Sequence, residues 1–515
     1  MSTLKPRPPY TDAELAALYP SQLRLQQVQI LLRHGERTPI TARFRNTGLP
    51  PFWPYCSAAR RLTSALLSPA DTATGAAQTL TTLEWQRRLE TFGPDDAAVV
   101  AAGPAAELDA ICESGMLTDR GRETTTFLGH RLRNLYVDQL GFLPPTLVDG
   151  APIYLRATPV PRALESLQQT LHGLYPPAAR APDLPPPTIL LRAPNDETLF
   201  PNDGNCRRFA HLARAFAQRA ADRWNDSDEM TLLTKRLGHW MPDDSPRVAV
   251  DAHPRLSGLM DTINATAAHG PATRLPKEFY NPEVRRIIEK IGVEEWYAGY
   301  AESQEYRTLG IGGLLGDIVA RMVGSAEHSP ADGEYEIASG GHAASQPVRF
   351  GMSGCHDTTL AGVLSSLGAY NTEAWPPFTS HIALELFRHA DQPLFVPTSK
   401  PGGLSSLFGW ITGSGSGASP GSPPPGIGRK MTPELTGAEK AHLQGYYVRL
   451  RYNDQPVSIP GCKAAGNHLD GDESFCTLEA FKAIVDKFTP QNWKQQCRTN
   501  IKGPAFPPKP EPAGY

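Results

Sequence analysis

The sequence predicts an α/β fold, in which a central, mainly parallel β-sheet is flanked by helices and carries an inserted, mostly helical cap. First, short apolar runs alternate with helical leucine patterns over residues 23–192. Second, three of the apolar runs in the chain end directly at basic or imidazole side chains. Third, residues 200–325 show a helical pattern with many charged residues and few β-branched runs, which is typical of a helical unit inserted into a sheet domain.

The first part of the predicted core alternates strands with helices. Its strands are short apolar runs, and its helices place leucines three or four positions apart on one face. Helix starts are marked by Thr118 or Asp119, which suit an N-cap, and by Pro161, which suits the first turn. The elements predicted here are strand 23–32, a helix from 118 or 119 with Leu128, Leu132 and Leu135 on one face, strand 153–156, a helix from Pro161 with Leu164, Leu167, Leu171 and Leu174, and strand 188–192.

The second part of the core follows the helical insertion. Its predicted elements are strand 348–352, a helix with Leu360, Val363, Leu364 and Leu367 on one face that Gly368 stops, and strands 381–387 and 446–452. The stretches assigned to the α/β core are 22–48, 108–195 and 330–500, and those assigned to mainly helical cap or insertions are 49–107 and 196–329.

Two segments have a composition that disfavours folding. Residues 401–428 contain nine Gly and five Pro in 28 positions, with Ser in most of the gaps. Such a segment buries too little surface to offset its ordering entropy, so we predict a flexible surface insertion. We predict the same behaviour for the Pro-rich tail 501–515, which has five Pro and two Gly.

Composition excludes several classes of function. The 515 residues carry 50 Lys and Arg against 53 Asp and Glu, a formal net charge of −3. A dedicated nucleic-acid binder would have a basic excess, so we expect no nucleic-acid partner. No apolar run approaches the roughly 20 residues of a membrane span, so we expect no transmembrane segment.

Targeting and cysteine signals are weak. The first 20 residues show no apolar signal-peptide region, which leads us to expect an intracellular location, cytoplasmic or mitochondrial. The seven cysteines include no CxxC pair, so they predict no metal cluster and leave disulfide pairing open. The oligomeric state is not predicted.

The three strand ends with basic or imidazole side chains are the candidate site. They are Arg33-His34-Gly35-Glu36-Arg37-Thr38-Pro39, Arg156-Ala157-Thr158 with Arg162 beyond it, and His356-Asp357-Thr358. The carboxyl ends of parallel strands form the ligand crevice of an open α/β sheet. If the three strands are neighbours, these segments converge on one anion pocket.

The residue types in this pocket suit a phosphoryl group. Arg33, Arg37 and Arg156 would supply planar donors that stay charged. Neighbouring arginines lower the pKa of a histidine, which would keep His34 neutral and nucleophilic in mild acid. Asp357 would be the general acid for the leaving alcohol if the departing ester and partial burial raise its pKa.

The heptapeptide Arg33 to Pro39, together with Ser353-Gly354-Cys355-His356-Asp357-Thr358-Thr359, resembles the histidine acid phosphatase family, branch 2 of the histidine phosphatase superfamily. Leu199-Phe200-Pro201-Asn202 to Cys206 is similar to the lysophosphatidic acid phosphatase subgroup. The resemblance implies a phosphoglycerate-mutase-like α/β core with a helical cap and no metal or other cofactor. It implies that His34 forms a phosphohistidine, that Arg33, Arg37, Arg156 and His356 hold the phosphoryl group, and that Asp357 is the proton donor. The usual Arg-Ser-Thr of the family is Arg156-Ala157-Thr158 here, which puts one supporting hydrogen bond in doubt.

The expected function is an acid phosphatase that hydrolyses small phosphate monoesters, with lysophosphatidate among the candidate substrates. Phytase-like relatives usually carry Ala and Tyr where this chain has Glu36 and Thr38, and Glu36 would repel a heavily phosphorylated substrate if it faced the pocket. The alternatives are an inositol-phosphate or phytase-type phosphatase, and a catalytically silent phospholigand-binding scaffold.

Overall fold

The computed structural model describes residues 8–69, 77–327, 348–392 and 426–515. The strands are β1 (Leu23–Arg33), β2 (Leu62–Ser68), β3 (Thr79–Trp85), β4 (Glu90–Phe92), β5 (Ala98–Val100), β6 (Ile153–Ala157), β7 (Phe350–Cys355), β8 (His381–His389), β9 (Tyr446–Tyr452), β10 (Gln455–Val457), β11 (His468–Leu469) and β12 (Asp472–Thr477). The α-helices are α1 (Asp12–Leu18), α2 (Asp119–Arg133), α3 (Pro161–Leu174), α4 (Arg207–Trp224), α5 (Asp228–Leu237), α6 (Leu256–Ala267), α7 (Pro282–Glu302), α8 (Gln304–Arg307), α9 (Gly313–Glu327), α10 (Asp357–Ser366), α11 (Gly437–Ala441), α12 (Leu478–Asp486) and α13 (Trp493–Gln496).

The central sheet has eight strands in the order β11-β12-β9-β8-β1-β7-β6, with β10 beside β9. Strands β1, β7 and β6 are parallel neighbours, whereas β8, β9, β10, β11 and β12 pair in antiparallel fashion. The predicted α/β class is confirmed. Its parallel pairing lies in the half of the sheet that carries the three candidate segments, and the sheet as a whole is mixed.

Helices cover both faces of the sheet because β1 buries side chains on both of its sides. Val28, Ile30 and Leu32 pack in one apolar core with residues of α2 and α3. Leu31 packs in a second core with residues of α9, α10 and α12. This alternation of side chains between the two faces produces a three-layer α/β/α core.

The cap has an apolar core of its own. It is built from residues of the 44–56 loop, the end of α4, and helices α5, α6 and α7. The segment 196–329, predicted as helical, carries α4 to α9. Helices α8 and α9 join through a π-helical turn at Thr308–Gly312 into one helix, Gln304–Glu327, whose length and composition would suffice to cross a membrane. Of the most apolar 18-residue window in this helix, 94% is buried inside the protein, as the core helix of an α/β domain would be.

The prediction of helix for 49–107 is wrong. In the described part of this segment, β2 pairs with β3 and β4 pairs with β5, both in antiparallel fashion. The helical pieces described there are short 3-10 turns at Ser57–Arg60 and Pro94–Asp96. Thr and Leu alternate across the paired strands, as in Leu66 opposite Thr81, and β-branched threonine favours the extended backbone. The Ala and Leu content of the segment obscured this alternation.

Two further predictions need correction, and a third concerns residues that are mostly outside the described ranges. The strand expected at 188–192 is reduced to a single bridge between Leu190 and Arg156. The Pro-rich tail 501–515 is packed against the protein, because the Phe506 ring contacts Phe216 and the amide of Gly461 donates to the carbonyl of Gly514. Of the predicted insertion 401–428, residues 401–425 lie outside the described residues.

Six of the seven cysteines pair. The disulfides are Cys56–Cys112, Cys206–Cys497 and Cys462–Cys476, and Cys355 is buried with a free thiol. The first two pairs join segments far apart in the sequence, so spacing alone could not have indicated them.

Candidate active site

The carboxyl ends of β1, β7 and β6 meet at one edge of the sheet, as predicted. A cavity of about 450 Å³ opens there, between the sheet edge and the cap. Its polar lining includes Arg33, His34, Arg37, Arg43, Arg162, Asp261, His356 and Asp357, and its apolar lining includes Ile40, Val160, Phe200, Met260, Trp296, Trp375 and Phe378. Five of the six predicted site residues therefore face one space.

His34 follows the last residue of β1 and is fixed by backbone contacts. Its amide donates to the carbonyl of Cys355 at 3.0 Å, and its ring Nδ1 lies 2.9 Å from the carbonyl oxygen of Gly35. A carbonyl oxygen only accepts, so Nδ1 carries the ring proton and Nε2 holds a free lone pair. Burial and the neighbouring Arg162, Arg33 and Arg37 lower the pKa of His34 well below its usual value, which keeps that lone pair available.

The glycine after His34 is required by close packing. A Cβ at Gly35 would lie 2.3 Å from the carbonyl oxygen of Gly121, at the start of α2. The amide of Gly35 donates to Ser166 Oγ of α3 at 3.1 Å. The segment that carries His34 is thus held against the first turn of one helix and the side of another.

His356 and Asp357 lie where β7 ends and α10 begins. His356 Nε2 is 3.0 Å from the Thr158 hydroxyl, and the two histidine rings are 5.5 Å apart between centroids. Burial, first, and then Arg162 lower the pKa of His356 to about 3. His356 is therefore neutral in the free site, and its ring has one N–H donor and one acceptor nitrogen for hydrogen bonds.

Asp357 is held by several donors. Its Oδ2 is 2.6 Å from Arg33 Nη2 and accepts from the Trp375 indole at 2.9 Å, while its Oδ1 accepts from the amide of Thr358 at 2.9 Å. Burial raises the pKa of Asp357, but Arg33, the Trp375 indole and Arg37 outweigh it and lower the pKa to about 2. In the free site Asp357 is thus a carboxylate, whereas burial was expected to raise its pKa.

Arg33 and Arg37 lie side by side above Phe378. The Arg33 guanidinium carbon is 4.3 Å from the centre of that ring and the Arg37 carbon is 5.8 Å from it. Arg37 Nη1 donates to Asp261 Oδ1 of α6 at 2.7 Å. The buried Nε–H of each arginine has no acceptor among the described residues, so part of the donor capacity of each guanidinium is unused.

Arg162 is a site residue that the sequence reasoning named but did not assign. It lies in the first turn of α3, lines the cavity, and has no acidic group within ion-pairing distance in the described part of the chain. Burial, first, and then the nearby Arg37 lower the pKa of Arg162 to about 10. The start signal at Pro161 could have revealed it, because the first turn of a helix that follows a strand lies at the same sheet edge as the strand end.

The structure does not bring Arg156 into the cavity. Its side chain is buried beside β6, where Nη2 donates to Glu197 Oε1 at 2.6 Å and to the Thr198 hydroxyl at 3.1 Å. Glu197 Oε1 also accepts from the amides of Thr198 and Leu199. Because side chains alternate along a strand, residue 156 points to the layer of α9, and the expectation that it binds the phosphoryl group is wrong on these contacts.

Glu36 does not face the cavity either. Its carboxylate is fully buried and accepts from the Thr124 hydroxyl of α2, while its backbone carbonyl accepts from the amide of Thr118. Repulsion of phosphorylated substrates by Glu36 is therefore not a feature of this pocket.

Charge and shape restrict the ligand. Four arginines and two aspartates line the cavity, and with neutral histidines the formal charge of the lining is +2. One phosphate dianion balances it, and the apolar part of the lining is left to contact the rest of a substrate. Within the described ranges, no group of three or more His, Cys, Asp or Glu side chains is arranged to hold a metal ion.

In sequence, the chain is similar to proteins named as phosphatases. Residues 24–398 match the family model described as histidine phosphatase superfamily (branch 2). A Schizosaccharomyces pombe protein named "probable acid phosphatase" is 33% identical over 493 residues, 95% of this chain and 97% of that protein. Human lysophosphatidic acid phosphatase type 6 is 25% identical over 307 residues, which are 57% of this chain and 64% of that protein.

A solved structure shows the same fold at low identity. The apo form of Hafnia alvei phytase superposes with a TM-score of 0.51 and 13% identity, over 93% of this chain and 99% of that one. At this identity the likeness concerns the fold alone.

Proposed function

Because the chain belongs to branch 2 of the histidine phosphatase superfamily, we propose that its cavity hydrolyses phosphate monoesters through a phosphohistidine on His34, with Asp357 as the proton donor. The chain is an enzyme of the acid phosphatase type, a phosphoric monoester hydrolase, and such enzymes act on small phosphorylated substrates. The observation that carries the residue assignment is the His34 ring, whose Nδ1–H donates to Gly35 and whose lone pair at Nε2 is kept free of a proton by burial and by arginines.

In the first step, the His34 Nε2 lone pair attacks phosphorus and forms a P–N bond. The P–O ester bond breaks, its electron pair goes to the leaving oxygen, and Asp357 gives that oxygen a proton. In the second step, water attacks phosphorus and gives a proton to the Asp357 carboxylate. The P–N bond then breaks, and His34 is neutral again.

The arginines that line the cavity stabilise the charge on phosphorus. Arg33, Arg37 and Arg162 present donors to an anion bound in front of His34. His356, neutral in the free site, would donate a further hydrogen bond. Fixed donors act on the transition state without reorganising during the step.

Substrate binding changes the protonation of Asp357. In the free site Arg33 pairs with Asp357 and helps to lower its pKa. A bound phosphate dianion draws Arg33 to itself and adds negative charge near the carboxylate, and both effects raise the pKa of Asp357. The acid form is thus created by the substrate, and the rate falls once the pH exceeds the raised pKa, so we propose an acidic optimum.

Cavity charge and lining support a monoester with an apolar leaving group. A lining charge of +2 matches one phosphate, whereas phytate would bring several. The aromatic side chains Trp296, Trp375 and Phe200 give an apolar leaving group a surface to contact. We therefore propose lysophosphatidate-type substrates, with phytate as the competing candidate.

Hydrolysis of p-nitrophenyl phosphate by wild type and His34→Ala tests the activity. We expect turnover in wild type and none above background in the variant, provided that circular dichroism shows the variant folded. Equal activity of the two would overturn the nucleophile assignment, and an inactive wild type that still binds phosphate would instead indicate a silent phospholigand-binding scaffold.

A substrate panel separates the candidate substrates. We expect kcat/KM for lysophosphatidate to exceed that for phytate, with phosphotyrosine as a compact aromatic reference. A preference for phytate would refute the argument from the charge of the lining.

A further inference from the structure

The indole of Trp375 lies at the junction between the proposed acid and the proposed leaving-group surface. Its Nε1–H donates to Asp357 Oδ2 at 2.9 Å, and its ring lines the cavity. Few side chains combine an apolar face with one fixed donor, and tryptophan is the largest of them.

Trp375 is itself held by the cap. Its backbone amide donates to Glu289 Oε2 of α7 at 3.2 Å, and its ring packs 5.0 Å from the ring of Tyr297 in the same helix. The next residue, Pro376, accepts a hydrogen bond from Arg33 Nη1 through its carbonyl. Residues 375 and 376 therefore position both members of the Arg33–Asp357 pair.

Two donors share one oxygen of Asp357. Arg33 Nη2 lies 2.6 Å from Oδ2, and Trp375 Nε1 lies 2.9 Å from the same atom. When a phosphoryl group draws Arg33 away, the indole remains as the side-chain donor to this carboxyl, beside the Thr358 amide on Oδ1. Without the indole, the Thr358 amide on Oδ1 would be left to restrain rotation of the Asp357 carboxyl about its Cβ–Cγ bond.

We propose that Trp375 is a positioning residue for the general acid: it holds the Asp357 carboxyl in place after substrate has drawn Arg33 away, while its ring face contacts the leaving group. This inference rests on the proposed function, because it assumes that Asp357 protonates the leaving oxygen. Trp375 itself exchanges no proton with substrate, so its effect depends on how much each substrate needs the acid.

The test is Trp375→Phe, which keeps an aromatic ring and removes the N–H. Loss of this N–H should lower kcat most for substrates with a poor leaving group. We expect kcat for an alkyl phosphate such as glycerol phosphate to fall about 10-fold, since a hydrogen bond to an ionised group is worth about one factor of ten or more. For p-nitrophenyl phosphate, whose leaving group needs little protonation, we expect a fall of less than about 3-fold.

The pH profile supplies a readout that a purely structural role would not move. The indole donates to the ionised carboxyl and so lowers the pKa of Asp357. Its removal should shift the alkaline limb of the kcat profile upward by up to about one pH unit.

Trp296→Phe is the matched control. Trp296 lines the same cavity, and its ring lies 6.3 Å from that of Trp375, but within the described ranges the indole that donates to Asp357 is that of Trp375 and not that of Trp296. We expect this variant to leave the alkaline limb of the kcat profile as in wild type, whatever it does to KM or to the preference between the two substrates.

The outcomes distinguish the inference from the function on which it rests. Equal losses on both substrates with an unmoved pH limb would overturn the role of Trp375 while the activity of wild type stands. If His34→Ala were active, the proposed function would fail first. Competitive inhibition by inorganic phosphate, with a constant within about 3-fold of wild type, verifies that Trp375→Phe has kept the anion site, and a weaker constant would refute the assigned positioning role.

Discussion

Two arginines near the sheet edge, the half-buried Arg162 and the buried Arg156, should respond in opposite ways to the same substitution. Arg162 lines the cavity with other cations around it, whereas Arg156 lies in an ion pair with Glu197 outside it. We compare Arg162→Met with Arg156→Met, since methionine retains much of the side-chain volume and removes the charge.

The magnitudes follow from these surroundings. A hydrogen bond to a charged group contributes about 1.5–3 kcal/mol, so the loss of Arg162 should lower kcat/KM and phosphate affinity by about 10- to 150-fold. Because neighbouring cations disfavour the charged form of Arg162, its removal should leave the melting temperature unchanged or raise it. Removal of Arg156 leaves Glu197 buried without its partner, which typically reduces the free energy of unfolding by about 3–5 kcal/mol.

The assay measures two quantities on each variant. One is the competitive inhibition constant of inorganic phosphate against p-nitrophenyl phosphate, and the other is the melting temperature. We expect Arg162→Met to weaken phosphate binding without loss of stability, and Arg156→Met to lose stability while the folded protein binds phosphate within about 3-fold of wild type. Weaker phosphate binding in Arg156→Met than in Arg162→Met would refute the assignment of the two arginines.

Three other predictions concern packing, pH and the disulfides. Gly35→Ala should lower kcat at least 10-fold, because its Cβ would lie 2.3 Å from the carbonyl oxygen of Gly121. The control Gly150→Ala, whose Cβ would meet nothing within 4 Å, should match wild type in kcat. Equal kcat values for the two variants would contradict the tight packing behind His34. Burial lowers the pKa of His381 to about 3, so below about pH 6.5 the unfolded chain binds a proton that the folded protein does not. The free energy of unfolding should therefore fall as the pH drops from 6.5 towards 3, by up to about 1.4 kcal/mol per pH unit. In urea titrations, His381→Gln should show a smaller dependence of the free energy of unfolding on pH. Replacing Cys462 and Cys476, whose disulfide joins positions separated by 14 in the sequence, with serine should reduce the free energy of unfolding by about 3 kcal/mol. A melting temperature equal to that of wild type would contradict a native disulfide.

Local sequence signals predicted the part of the site that depends on strand ends. The apolar run before Arg33 and the run before His356 both formed strands, and because β1 and β7 are parallel neighbours their ends had to meet. The Thr118 N-cap and the Pro161 start of α3 also agree with the structure. Each of these signals acts within a few residues, so the sequence carries it directly.

The misassigned arginine depended on a direction that the sequence does not specify. Arg156 and Arg162 both follow the apolar run of β6, but residue 156 lies inside the strand and points to one face, whereas residue 162 lies in the helix beyond the strand end. A shift of one residue in β6 would have exchanged its faces. The contacts of Asp261 and Trp375 likewise come from the cap and from a loop, and only tertiary packing brings them to Arg37 and Asp357.

Compartment remains a prediction from the sequence. The first residues led us to expect a cytoplasmic or mitochondrial location, yet three disulfides are typical of proteins in an oxidising compartment. Fractionation of the native protein, with the thiols blocked before lysis, would decide between the expected cytoplasmic or mitochondrial location and an oxidising compartment.

The central claim is that His34 carries the phosphoryl group between the two steps. Asp357→Asn should allow a good leaving group to depart and should slow attack by water, so the phosphoenzyme accumulates. The variant is allowed to react with ³²P-labelled p-nitrophenyl phosphate, and the reaction is then quenched rapidly. We expect close to one label per chain, stable to base and labile to acid, on the peptide that contains His34. Label on another peptide, or label that persists when His34 is also replaced by alanine, would contradict the claim.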